Sequence, residues 1–196
     1  MRTSAGVQYS NKQQKSVENE IPNFNQKKTC CFTGHRPNKL FGYDPYANGN
    51  KQLLNHLRKE IESLILNRSY DTFITGMALG TDMWAARIVL SLKNKYPHIR
   101  LIAAIPCEGQ PQQWPQESQK QHADILKQCD YSHVIATHYT PACMQKRNEW
   151  MVDRSSFILS VWDGTSGGTG NCINYAKRNN VGFININPNH FKPYTR

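Results

Sequence analysis

Apolar residues recur along this chain with two periods. Near-continuous runs of strand length occur at 29–33 (TCCFT), 101–105 (LIAAI) and 157–162 (FILSVW). Between them, apolar positions repeat every three to four residues, as on one face of a helix. Leu53, Leu54, Leu57, Ile61, Leu64 and Ile65 mark the first such face, a helix of roughly four turns. Met83, Ala86, Ile88, Val89 and Leu92 mark the second, and Cys172, Ile173 and Ala176 the last. In order, the pattern predicts strands at 29–33, 70–75, 100–105, 131–136, 157–162 and 181–185. Helices fall between them, including 117–128, 143–154 and a final one ending at Arg178.

Strands alternating with helices predict an α/β three-layer sandwich, a mostly parallel sheet with helices on both faces. Strands as apolar as LIAAI suit a sheet buried on both sides. Residues 1–27 are rich in Gln, Asn, Ser and Lys and have no period, so a disordered extension is expected ahead of one domain at 28–196. Its basic residues are expected to be solvated.

The chain has 196 residues and a formal charge of +10. Residues 1–28 carry five basic and two acidic side chains, which leaves +7 for the remainder. Such a surface attracts polyanions, nucleotides included. None of the six cysteines forms a CxxC or a Cys/His zinc spacing, so no metal site is expected and the thiols read as small buried hydrophobes. No long apolar span or signal-peptide pattern occurs, and the expected setting is cytoplasmic, with no membrane partner.

In a parallel sheet, ligands sit beyond the C-terminal strand ends, where strand order reverses. The conspicuous polar segments follow strands. After the fifth strand comes Asp163-Gly164-Thr165-Ser166-Gly167-Gly168-Thr169-Gly170, leading into a helix. Strand, glycine turn and helix together make a phosphate-binding geometry: glycines let backbone N–H groups reach an anion, and the helix start is its positive end. Thr33-Gly34-His35-Arg36-Pro37 follows the first strand. Arg36 is suited to a bidentate phosphate contact, whereas His35 fits anion binding, acid–base work or a loop cap equally well.

Thr75-Gly76-Met77-Ala78-Leu79-Gly80-Thr81-Asp82 is a second glycine turn without a GxGxxG pattern or a Walker lysine. Asp82 either occupies a helix start or receives a ribose hydroxyl or base nitrogen. Glu108 follows the third strand, and Arg147 and Asn148 share a polar helix in which Asn148 suits a base or sugar. Asp163 fits either a ribose anchor or a carboxylate that orients water. Glu108 and Asp163 are thus the catalytic candidates, without a paired carboxylate to establish a hydrolase.

FTGHRP (32–37), TGMALGTD (75–82), IPCEGQ with Trp114, RNEWMVD (147–153) and WDGTSGGTG (162–170) resemble, in this order, the YpsA-like family of the SLOG superfamily. That group includes lonely-guy phosphoribohydrolases and the DNA-processing protein A. The resemblance implies a Rossmann-like sheet with a nucleotide-derived ligand, and no separate cofactor, at the glycine loops. The ligand contacts are then expected from Thr33, Gly34, His35, Arg36, Gly76, Gly80, Asp82, Glu108, Arg147, Asn148, Asp163, Gly167, Gly168, Thr169 and Gly170. The lonely-guy loop looks like PGGxGTxxE with a catalytic Glu; here Asn171 and Asn174 take the Thr and Glu places. An amide cannot serve as that acid or base. The 75–82 turn looks more like the SGxAxGxD turn of the DNA-processing protein. Nucleic acid therefore ranks as the second partner after a small nucleotide derivative, and a homodimer stays open.

Overall fold

A computed structural model describes residues 23–192. Six strands and five helices alternate: β1 (Thr29–Gly34), α1 (Asn48–Arg68), β2 (Thr72–Thr75), α2 (Thr81–Lys93), β3 (Arg100–Ile105), α3 (Gln116–Gln128), β4 (Tyr131–Val134), α4 (Cys143–Asp153), β5 (Phe157–Val161), α5 (Gly168–Arg178) and β6 (Gly182–Ile186). The strand order is β4-β3-β2-β1-β5-β6, and every neighbouring pair is parallel. This is the expected Rossmann-like architecture.

Strand alternation divides the core in two. Cys30 and Phe32 of β1 face a cluster with Phe73, Leu101 and Leu159, covered by Leu53, Leu57 and Ile61 of α1 and Met83, Ala86 and Val89 of α2. Cys31, pointing the other way, joins Ile74, Ile102 and Ile158 under Met151 and Val152 of α4 and Cys172 and Ala176 of α5. Burial of β1 and β5 on both faces explains their unbroken apolar runs.

α1 spans 21 residues, longer than its apolar face predicts. Its extra first turn uses Asn48, Gly49 and Asn50, poor helix formers held by tertiary bonds. Asn50 is fully buried; its Nδ2 donates to the carbonyls of Gly42 (3.0 Å) and Asp44 (2.7 Å). That amide ties the 41–47 loop to the helix. Conversely, β2 starts at Thr72 rather than at residue 70. The backbone of Ser69 is left-handed (φ 55°) and Tyr70 N–H returns to Leu64 C=O, closing α1 before the strand begins.

Of the expected N-terminal extension, residues 1–22 lie outside the described residues. Residues 23–27 do not: Phe24 packs on the α4–α5 side of the core, Gln26–Lys28 form a 3-10 turn, and Gln26 Nε2 donates to Asp153 C=O (2.8 Å).

The chain runs outward from β1 through β2, β3 and β4, then returns to place β5 on the other side of β1. Strand order therefore reverses between β1 and β5. The loops after these two strands diverge there and leave a crevice at the C-terminal edge of the sheet.

Candidate functional site

The crevice is a pocket of about 370 Å³, lined from four directions. The β1 loop contributes Thr33 to Arg36 together with Asn38 and Lys39. The turn into α2 gives Ala78 and Asp82, α4 gives Met144, Arg147 and Asn148, and the loop into α5 gives Thr165 to Thr169.

The start of α5 is open. Its N-cap, Gly167, has φ 142° and no side-chain cap, and Asn171 N–H is the first to bond back, to Gly167 C=O. Among the described residues the preceding amides of the first turn have no backbone acceptor, and Gly168 and Thr169 line the crevice, an arrangement suited to an anion. A Cβ on Gly168 would meet no atom within 4 Å, so the space beside this backbone is free.

A hydrogen-bonded frame fixes the loop that carries this helix start. His35 is buried, and its Nε2 lies 2.7 Å from Asp163 Oδ1. The same carboxylate oxygen accepts the Thr165 N–H (2.9 Å) and hydroxyl (2.7 Å). These bonds, Thr165 first and His35 after it, hold the Asp163 carboxyl well below the usual carboxylate range. Lys39 Nζ donates to Thr165 Oγ1 (3.1 Å) from the opposite side of the crevice. Beneath the loop, Trp162 Nε1 donates to Thr165 C=O (2.7 Å), and a side chain on Gly170 would crowd the Trp162 ring.

Behind the pocket lies a buried ion pair. Arg147 and Asp82 are both almost fully buried, with Nη1 to Oδ2 at 3.4 Å. Arg147 Nη1 also donates to Gly76 C=O, and its guanidinium fills the space that a side chain at position 76 would need. Burial pushes the Asp82 carboxyl above its ordinary value, opposed by Arg147, by Arg36 and by the N–H groups of Ala78 and Gly76. Arg147 Nε has no hydrogen-bond partner among the described residues although buried, and Arg147 lines the pocket. Arg36 and Lys39 stand exposed at the rim and make no ion pair among the described residues.

The fifteen residues expected from sequence are distributed unevenly about this pocket. Thr33, Gly34, His35, Arg36, Asp82, Arg147, Asn148, Gly167, Gly168 and Thr169 line it. Asp163, Gly76 and Gly170 sit one layer behind, supporting His35, Arg147 and the loop. Gly80 lies where the β1 and β2 turns touch; a Cβ there would fall 2.7 Å from His35 C=O. Glu108 is exposed after β3, its N–H bonded to Ala136 C=O, and does not line the pocket. Asn174 faces a separate surface depression with Gln145, Asn171, Lys177 and Arg178.

Asn38, Lys39, Thr165 and Ser166 were not among the expected contacts. A lysine two residues beyond the HRP turn was the available signal for Lys39. None of the four tryptophans lines the pocket.

A model of the YpsA family, described as the YspA SLOG family, matches residues 30–183. The uncharacterized SPbeta prophage-derived protein YoqJ of Bacillus subtilis is 38% identical over 143 residues, covering 67% of this chain and 84% of that protein. A UPF0398 protein of Brevibacillus brevis is 31% identical over 144 residues, covering 72% and 76%. Among solved structures, DNA processing protein A from Streptococcus pneumoniae superposes with a TM-score of 0.53 at 15% identity. That superposition spans 80% of this chain but only 49% of the other. The Helicobacter pylori protein, whose structure concerns a single-stranded DNA binding mode, gives the same TM-score and identity, over 82% and 65%. At this identity the likeness is one of fold.

Proposed function

This chain belongs to the YpsA SLOG family, and from that premise we propose that its pocket binds a nucleotide or nucleotide-derived ligand as a sensor or regulatory protein. One observation carries the reading: the uncapped start of α5 and the unpaired cations Arg36 and Lys39 face one crevice at the point where strand order reverses. The pocket favours the sugar-phosphate part of such a ligand. Its lining has four hydroxyl side chains and two amides, and its one aromatic ring, the His35 imidazole, is buried and engaged by Asp163, so no Phe, Tyr or Trp platform is offered to a base. Phosphate therefore lies on the α5 amides with Arg36 and Lys39, the sugar toward Asn148 and Thr33, and the base toward the mouth. A cytoplasmic setting accords with six free cysteines.

Two other readings rank below this one. Hydrolysis of the ligand would need a carboxylate, and Asp163 is the candidate beside the pocket. Nucleic-acid binding at the crevice rests on the fold shared with DNA processing protein A, without an aromatic platform in the pocket.

Calorimetric titration with nucleoside monophosphates, ribose 5-phosphate and the unphosphorylated nucleosides tests the proposal. Phosphorylated compounds are expected to bind and nucleosides to fail. Arg36→Ala, at an exposed position, is expected to weaken binding about tenfold or more without lowering the melting temperature. Equal binding of adenosine and AMP, or full affinity in Arg36→Ala, would refute it.

A further inference from the structure

A second concave site lies on the outer face of α1 and α2, away from the crevice. It is a groove of about 420 Å³ lined by the cations Lys51 and Arg58 of α1 and Arg87 of α2, together with Tyr46 of the preceding loop. Tyr46 is 81% exposed, the most exposed large hydrophobic side chain among the described residues. Lys51 and Arg58 are seven residues apart and so share one face of α1, about 10 Å apart along it. Arg87 faces them across the groove. Arg58 Nη1 donates to Ser91 Oγ (3.2 Å), and neither Lys51 nor Arg87 is engaged in an ion pair or side-chain hydrogen bond among the described residues. No carboxylate lines the groove.

Charge sets a direction. On the other flank of Tyr46, the neighbouring depression holds Asp44, Glu117 and Asp124 as well as Arg87 and Lys120. The first flank, with three cations and no carboxylate in its lining, favours a polyanion over the second, where acids and bases are mixed. The floor of the favoured side is apolar, with Leu54, Ile88 and the edge of the nearly buried Trp84. Cations spread along both walls, an apolar floor and a freely exposed ring suit a flat base whose backbone carries more than one phosphate.

We propose that this groove binds single-stranded nucleic acid, with a base under Tyr46 and phosphates on Lys51, Arg58 and Arg87. Unlike the ligand site at the crevice, it uses none of the glycine loops. The two sites therefore fail or stand separately.

Fluorescence anisotropy of a labelled oligothymidylate of about twelve nucleotides, titrated with the full chain from about 50 to 200 mM salt, tests the proposal. Three neutralised phosphates give a log–log salt slope of about −2 for a single strand. Arg58→Ala with Arg87→Ala is expected to reduce that slope to about −1. Tyr46→Ala is expected to weaken binding about tenfold and leave the slope unchanged. Arg36→Ala, at the crevice, is expected to change neither. Absence of binding would overturn the proposal. So would binding that Arg36→Ala removes while the groove variants keep it, which would place the strand in the crevice. Equal competition by polyglutamate would also overturn it, because the groove would then be reading charge alone. All four residues are at least partly exposed, and circular dichroism checks that each variant folds.

Discussion

At the scale of single residues, Asp163 shows what a strand-end carboxylate does here. Sequence alone left it between a ribose anchor and a carboxylate that orients water. Its Oδ1 accepts from both donors of Thr165 and lies 2.7 Å from His35 Nε2. The aspartate thus pins the loop after β5 to the end of β1 through the otherwise unassigned His35. Such pairings join residues 128 positions apart, and no local pattern reports them. Arg147 and Asp82 are similar: a polar helix residue and a helix-start acid become one buried pair. The pH consequence of Asp163 has a definite sign. Its folded value lies below the ordinary 3.8, so its stabilisation is fully present above that pH and is lost as pH falls below it. Melting temperatures of wild type and Asp163→Asn are expected to differ by a constant amount from neutral pH down to about 5 and to converge below about 4. A gap that stays constant through the acid range would show that the carboxylate is not held ionised by these bonds.

At the scale of elements, the periodicity of the sequence located the six strands and five α-helices of the described residues with errors at their ends, and missed the short 3-10 helices at Gln26–Lys28, Pro37–Lys39 and Pro188–Phe191. Apolar faces report what packs on the sheet, so they cannot report the first turn of α1, where the buried Asn50 replaces a hydrophobic contact. α5 is the element on which the proposed function turns. Glycine at its first position costs helix stability, and there is no steric reason for it: a Cβ at 168 meets nothing within 4 Å, and the backbone there is not left-handed. The proposed function supplies a reason, access to the amides. Gly168→Ala is therefore expected to leave stability unchanged or raise it by up to about 1 kcal/mol. The same change should weaken binding of phosphorylated ligands, and Gly168→Val should weaken it further. Thermal denaturation and titration on the same samples separate the two effects. A destabilised Gly168→Ala with unchanged affinity would make this glycine a folding requirement instead.

At the scale of the whole molecule, topology decides which sequence candidates meet. Alternating strands and helices make strand-end loops the natural site, but not which of them converge. The crevice forms at β1 and β5, with the turn after β2 close enough to contribute Asp82. The loop after β3 is one strand farther out, which leaves Glu108 exposed and remote from the pocket. Of the strand-end carboxylates, Asp82 is buried against Arg147, and Asp163 alone remains beside the pocket with Oδ2 free of the bonds that occupy Oδ1. Asn174, at the place where the resemblance to the lonely-guy loop puts a catalytic Glu, is an amide and opens onto the α5 surface with Lys177 and Arg178. Asp82, the carboxyl group in the crevice lining, is paired with Arg147, so it is not free to protonate the leaving base of a glycosidic bond held there. No measurable free base is expected from nucleoside monophosphates. Hydrolysis of any other nucleotide derivative is expected to disappear in Asp163→Asn and to persist in Glu108→Gln. Chromatography of nucleoside monophosphates and ADP-ribose derivatives after long incubation with the three proteins measures this. Base release from a monophosphate that survives both substitutions would mean that the reacting bond lies outside this crevice, and that the phosphate-first orientation of the ligand is wrong.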